Sequence, residues 1–276
     1  MSNLVSTEWL AAHLGEVRVV DASWYMPADK RDPAAEFETA HILGAVFFDI
    51  DGIADHATDL PHMLPQPGAF SAAAGALGLG EDDTVVVYDG SGIFSAPRVW
   101  WTLKAMGHAN VKVLDGGFPK WKREGRAVEA GPAKPKSKSF AAKLQPAMVR
   151  DFPSVMGIVK DKTAQMVDAR SAGRFTGAEA EPRAGVRSGH MPGAANVHFR
   201  SLIVTDGTLK PREDLRAAFE QAGVDLHKPI VTTCGSGLTA AILILALEEI
   251  GAGDTALYDG SWTEWGGRAE APVVTG

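Results

Sequence analysis

Cys234 is where the sequence first suggests chemistry. It is the single cysteine of a 276-residue chain and sits directly after the apolar run Ile230–Thr233. It opens the segment Cys234-Gly235-Ser236-Gly237-Leu238-Thr239, and a helical stretch is expected from Leu238 onward. Two glycines in four positions allow a tight turn whose amide N–H groups converge on one point. A helix starting there adds the positive end of its dipole. An anion is favoured at such a point, and the nearest side chain is a thiol. Free thiols ionise near pH ~8.5, and helix N-termini bring them to about 3.5–7.5, so the loop suits a thiolate nucleophile. Phosphate-ester chemistry on a cysteine needs an arginine six residues later to grip oxygens bidentately, and Ala240 stands at that position. That chemistry is disfavoured.

The elements that must position this loop recur twice. Val17-Arg-Val-Val-Asp21, His41-Ile-Leu-Gly-Ala45, Val85-Val-Val-Tyr-Asp-Gly-Ser-Gly92 and Leu114-Asp-Gly-Gly117 appear in that order in the first half. Gln165-Met-Val-Asp-Ala-Arg170, His190-Met-Pro-Gly-Ala194, Ile230-Val-Thr-Thr-Cys-Gly-Ser-Gly237 and Tyr258-Asp-Gly-Ser261 repeat the order in the second. The offsets are 147 for Asp21/Asp168, 149 for His41/His190, 145 for Asp89/Cys234 and 144 for Asp115/Asp259. Such a small drift indicates a duplicated domain. Short β-branched runs (17–21, 84–88 and 111–114, then 165–168, 229–233 and 255–258) read as buried strands. Helical stretches at 96–106, 211–222 and 238–250 each end at a glycine placed for a C-cap. The alternation predicts an α/β fold, each half a parallel sheet flanked by helices. Domain 1 is expected over 1–125 and domain 2 over 151–276. Residues 126–150, with three prolines and a net charge of +5, read as a solvated linker.

Composition narrows the function further. Hydrophobic residues make up 45% of the chain and charged residues 22%, so a disordered or fibrous protein is excluded. The net charge of −7 argues against a nucleic-acid partner. One cysteine supports neither an internal disulfide nor a Cys-rich zinc site. The first 20 residues lack a basic region followed by an apolar one, and the longest apolar run, Ala240–Leu247, is eight residues. A soluble, cytoplasmic protein without membrane association is expected.

In its motifs the chain resembles the tandem rhodanese family. The resemblance rests on the Cys234–Thr239 loop in the second of two repeats, together with Asp21-Ala-Ser-Trp-Tyr25, Phe47-Phe-Asp-Ile-Asp51, His62-Met-Leu-Pro65 and Ser95-Ala-Pro-Arg-Val-Trp-Trp101. Arg174-Phe175, Glu181-Pro-Arg183, Gly189-His-Met-Pro-Gly-Ala194 and Tyr258-Asp-Gly-Ser-Trp262 extend it over nearly the whole chain. It implies two rhodanese-like domains, the first non-catalytic because Asp89 replaces the cysteine. The second would be a sulfurtransferase that carries sulfur as a Cys234 persulfide and needs no metal or organic cofactor. Thiosulfate-preferring relatives carry basic residues directly after the cysteine, whereas Gly235 and Ser236 are neutral. The implied donor is therefore 3-mercaptopyruvate, releasing pyruvate, with thioredoxin, another thiol or cyanide as acceptor.

The resemblance also implies roles. Arg174 and Arg183 would clamp the donor's carboxylate and ketone; the alternative is a surface arginine paired with Glu179 or Glu181. Ser236 would act with His62 and Asp51 in proton transfer, the alternatives being that Ser236 only donates a hydrogen bond to the sulfur and that Asp51 caps a turn before Gly52. Gly235, Gly237, Leu238 and Thr239 complete the donor-binding loop. His41 and His190 recur in both halves although only one half has a cysteine, so they are expected to be structural. Two rivals stay open: a thiosulfate sulfurtransferase on the same fold, and a non-catalytic module that binds or senses sulfur species.

Overall fold

The β-branched runs become strands, and their order in space decides where the loops lie. The computed structural model describes residues 2–276. Two compact units result. The first takes the chain up to Asp55, Leu64–Gln145 and Val204–Leu209; the second takes His56–Met63, Pro146–Ile203 and Lys210–Gly276.

Unit 1 contains β1 (Leu4–Val5), β2 (Arg18–Asp21), β3 (His41–Ile42), β4 (Val46–Phe47), β5 (Val85–Tyr88), β6 (Val111–Leu114) and β7 (Val128–Glu129). Five of them form a sheet in the order β1-β6-β5-β2-β4, parallel throughout. Unit 2 contains β8 (Val149–Arg150), β9 (Gln165–Asp168), β10 (Ala195–Asn196), β11 (Ile230–Thr233) and β12 (Thr255–Tyr258), in the order β10-β9-β11-β12-β8. These pairs are parallel too. The two sheets have one topology, so the duplication read from the sequence is also a duplication of fold. Every residue of the central strands β5 and β11 is buried, as expected when helices cover both faces of a parallel sheet.

Helices Ala96–Ala105, Arg212–Gln221 and Ala240–Glu249 match the expected stretches to within two residues at each end. Each ends in a glycine at positive φ (Gly107, Gly223 and Gly251), and the following N–H reaches back five residues to close a Schellman turn. The helix Ala240–Glu249 is apolar on nearly all sides and buried, packing on β11, β12 and Arg212–Gln221. A second apolar cluster in unit 2 joins Met166, Val231 and Tyr258 to Phe152, Trp262 and Trp265. His41 and His190 are structural in the same way. Each Nδ1 bonds a carbonyl, of Phe37 at 2.7 Å and of Phe175 at 2.9 Å, and each ring stacks on that phenylalanine.

The basic stretch after Arg126 is not free chain. Up to Gln145 it is strapped to unit 1: β7 pairs antiparallel with β3, Lys138 N–H donates to Gly75, Lys143 N–H to Met106 and Gln145 N–H to Ala105. Phe140 is buried edge-on against Phe70. Composition showed its charges but not these backbone bonds.

Asp21 and Asp168 end equivalent strands in different company. Asp168 is bound by the Arg170 guanidinium, whereas Asp21 accepts from the N–H of Ser23, the residue in Arg170's register position. Burial raises the Asp21 pKa to about 6, against the lowering effect of Ser23. Folded Asp21 therefore holds its proton more tightly than the unfolded chain does. Its favourable contribution is complete below about pH 4 and is lost as pH rises through about 6, leaving an ionised buried carboxylate at neutral pH. Asp21→Asn is expected to stabilise the protein at pH 8 by ~1–3 kcal/mol more than at pH 4, measured by urea unfolding at both pH values. An equal effect at both would rule out this titration.

Candidate active site

In unit 2 the strand order places two loops side by side. The connection after β9 leaves toward β10, and β11 lies on the opposite side of β9, so the carboxyl ends of β9 and β11 flank a topological switch point. Ligands of open α/β sheets bind at such points. Cys234 follows β11, and Arg170 and Arg174 follow β9.

Cys234 is buried and its backbone is held by the turn after β12. Its N–H donates to Ser261 Oγ (3.3 Å), which donates to the Tyr258 carbonyl (2.9 Å). Trp262 N–H donates to the Cys234 carbonyl (2.9 Å). Gly235 O accepts from both Thr263 N–H (2.9 Å) and Thr263 Oγ1 (2.6 Å). Ser261 holds this position at φ +49°, an uncommon conformation for a residue with a side chain. The helix begins at Ala240 rather than Leu238, and its N-cap Thr239 places no side-chain oxygen on the first-turn amides.

Unit 1 shows how this type of loop treats an anion. Asp89 occupies the cysteine's register position, and the loop turns four amides onto its carboxylate: Ser91 (2.8 Å), Phe94 (2.8 Å), Ser95 (3.0 Å) and Ala96 (2.9 Å). Burial pushes the Asp89 carboxyl up while these N–H groups oppose the shift. The two loops share the pattern X-Gly-Ser-Gly, and Phe118 N–H donates to the Asp89 carbonyl as Trp262 does to that of Cys234. In the first copy the anion is the chain's own side chain.

The arginines lie on the Gly235 side of the loop. The Arg174 guanidinium covers Gly235, with Nη2 3.1 Å from where a Cβ would stand. It is also paired with Glu181, through Nε (3.1 Å) and Nη2 (2.5 Å). Glu181 in turn accepts from Arg170 Nη1 (2.7 Å), and Arg170 binds Asp168 and lies over the Trp262 ring. Arg183 Nη1 donates to Thr263 Oγ1 at 3.4 Å, reaching the loop through the residue that holds Gly235. Among the described residues no carboxylate forms an ion pair with Arg183.

The expected residues thus divide. Cys234, Gly235, Ser236, Gly237, Leu238, Thr239, Arg174 and Arg183 are in unit 2, and His62 belongs to it through the segment His56–Met63. His62 is buried and takes a left-handed backbone (φ +61°). Asp51 belongs to unit 1, where its carboxylate accepts from Trp24 Nε1 (2.8 Å). The adjacent turn is capped by Asp49, not Asp51. Sequence reasoning gave no role to Ser261, Thr263 or Arg170. A signal for Ser261 existed: the first repeat has Gly117 at its position, also at positive φ, so a serine there was out of the ordinary. Among the described residues no group of acidic, histidine or cysteine side chains could hold a metal ion. No helix among them is long and apolar enough to cross a membrane.

The family described as Rhodanese-like domain matches residues 6–124 and again 154–268. The chain is 44% identical to the mitochondrial thiosulfate/3-mercaptopyruvate sulfurtransferase 1 of Arabidopsis thaliana, covering 98% of this chain and 77% of that one. It is 43% identical to the human 3-mercaptopyruvate sulfurtransferase, covering 98% and 94%. The crystal structure of SseA from Escherichia coli, a 3-mercaptopyruvate sulfotransferase, superposes with a TM-score of 0.87 at 40% identity, covering 95% of this chain and 99% of that one.

Proposed function

The chain belongs to the rhodanese family and is a sulfurtransferase, and from that premise we propose that it moves sulfur from 3-mercaptopyruvate to an acceptor thiol through a persulfide on Cys234. The Cys234 thiolate attacks the donor's sulfur and the carbon–sulfur bond breaks. Its electron pair leaves with carbon as the enolate of pyruvate, which is protonated, so that the donor's S–H proton is in effect returned to carbon. The products are pyruvate and an anionic persulfide. Thioredoxin, another thiol or cyanide then takes the terminal sulfur and restores the thiolate.

The observation that carries this reading is a cysteine replacing an amide-bound carboxylate in a duplicated loop, with Arg183, which forms no ion pair among the described residues, bonded to the threonine that holds Gly235. By analogy with the Asp89 cradle, the matching loop after Cys234 suits the anionic persulfide. The Arg183 guanidinium, with Arg174, suits the donor's carboxylate and ketone. Ser236, two residues from the thiol, is the proposed proton carrier with His62 and Asp51. Gly237, Leu238 and Thr239 complete the donor-binding loop. The proposed compartment is the cytoplasm, where reduced thiols serve as acceptors and a lone cysteine stays free. Thiosulfate is the second donor to compare, because the Arabidopsis relative is named for both. The deciding experiment is intact mass after 3-mercaptopyruvate treatment, with one added sulfur mapped to Cys234 and pyruvate released in equal amount. Pyruvate without a loaded Cys234 would overturn the reading.

Gly235 gives a finer check. Its φ suits any residue, but a Cβ would press on Arg174 Nη2. Gly235→Ala is expected to fold as the parent and lower kcat/KM for 3-mercaptopyruvate by roughly three- to tenfold, because a clamp displaced by a fraction of an ångström loses alignment. Unchanged kinetics would show that the Arg174 position is not critical.

A further inference from the structure

Resting on that donor reading, we infer that Glu181 sets donor selectivity by cancelling the charge of Arg174. The Glu181 side chain is only 4% exposed and bridges two guanidiniums, Arg170 at 2.7 Å and Arg174 at 2.5 Å. Asp168 binds the far side of Arg170. The chain of ion pairs Asp168–Arg170–Glu181–Arg174 therefore holds two cations and two anions and carries no net charge. Arg174, at its end, presents hydrogen-bond donors over Gly235 but little surplus positive charge. The surplus on this side of the loop is that of Arg183, one unit.

One surplus cation matches a donor with a single carboxylate. It is a poor match for thiosulfate, whose two negative charges lie close to the transferable sulfur. In a half-buried site an unmatched charge is costly, since little water reaches it to compensate. Neutral residues at 235 and 236 leave the loop without cations of its own. Glu181 removes the effect of the one that reaches over it, and so acts as a positioning and selectivity residue through Arg174.

Two measurements test this. In the parent enzyme, Cys234 is alkylated with iodoacetamide at fixed ionic strength in the presence of sulfate, a dianion shaped like thiosulfate, or of pyruvate. Sulfate is expected to protect no better than pyruvate; half-protection by sulfate at about tenfold lower concentration would show that Arg174 is not neutralised and overturn the inference. In Glu181→Gln, which keeps an acceptor oxygen for Arg170, the ratio of kcat/KM for thiosulfate to that for 3-mercaptopyruvate is expected to rise at least about fivefold. In an Arg174→Ala background the same substitution is expected to move that ratio less than about twofold. A loss of folded enzyme lowers both donors together and leaves the ratio in place. An unchanged ratio in Glu181→Gln, or the same shift without Arg174, overturns the inference. If the parent turns over neither donor while sulfate protection improves in Glu181→Gln, the donor reading fails and the role of Glu181 stands.

Discussion

Cys234→Ser is expected to abolish sulfur transfer and leave the fold intact. The loop is held through the backbone of residue 234: its N–H on Ser261 and its carbonyl under Trp262 N–H. Neither bond involves the sulfur, and a serine hydroxyl occupies slightly less volume. The alkoxide is inaccessible at neutral pH, and no persulfide can form on oxygen. Loss of a nucleophile elsewhere costs up to about six orders of magnitude, so a drop in kcat of at least ~10⁴-fold is expected with either donor. Pyruvate release and thiocyanate formation from cyanide read the loss. Near-ultraviolet circular dichroism and the urea midpoint should match the parent. The chain has no second cysteine to take over. Residual transfer in the serine variant would therefore place the sulfur-carrying atom on another residue type, and the persulfide would be wrong.

The fold was largely legible because a duplication states everything twice. Asp21 and Asp168, His41 and His190, and Asp89 and Cys234 occupy equivalent places in two sheets of one topology. Buried parallel strands need continuous apolar runs, and helix ends need glycine, so both leave traces in a single sequence. What left no trace was backbone hydrogen bonding without a residue preference. The strap from Val128 to Gln145 is an example: its run of exposed lysines resembles a linker, while its N–H groups, and Lys138 through Asp83, bind unit 1. The helix start at Ala240 instead of Leu238 is another, since the loop takes Leu238, a residue with ample helix propensity.

The site was legible to a lesser depth. A cysteine after a buried strand, followed by two glycines, suggests a nucleophile through local geometry alone, the role proposed for Cys234. The residues that hold it are remote in sequence. Ser261 meets Cys234 because β12 lies beside β11, and Glu181 meets Arg174 and Arg170 because one loop folds back on another. Pairings across such distances are set by tertiary structure and cannot be read from spacing. Either Glu179 or Glu181 was an equally good partner for Arg174 on paper. In the structure Glu181 takes it, and Glu179 accepts from Ser171 Oγ.

The arginines separate by the same argument, and their substitution has the second large effect. Arg183 has no carboxylate partner among the described residues, so a bound donor carboxylate would be its ion pair. Removing it leaves that carboxylate desolvated and uncompensated. Such a loss costs ~2–5 kcal/mol, or roughly 30- to 4,000-fold in kcat/KM for 3-mercaptopyruvate. Arg174→Ala removes a donor already shared with Glu181, and Glu181 keeps Arg170 as a partner. Its loss is expected to be smaller but still at least about tenfold, because the guanidinium over Gly235 is also a geometric wall. Steady-state kinetics of Arg183→Ala, Arg174→Ala and the parent with 3-mercaptopyruvate make the comparison, and unfolding midpoints show whether either variant is misfolded. If neither substitution lowers the efficiency by tenfold, the carboxylate is held by other groups and the clamp is wrong. If Arg174→Ala is the more damaging of the two, the pairing with Glu181 does not spend its charge, and the order of importance drawn from the ion pairs must be reversed.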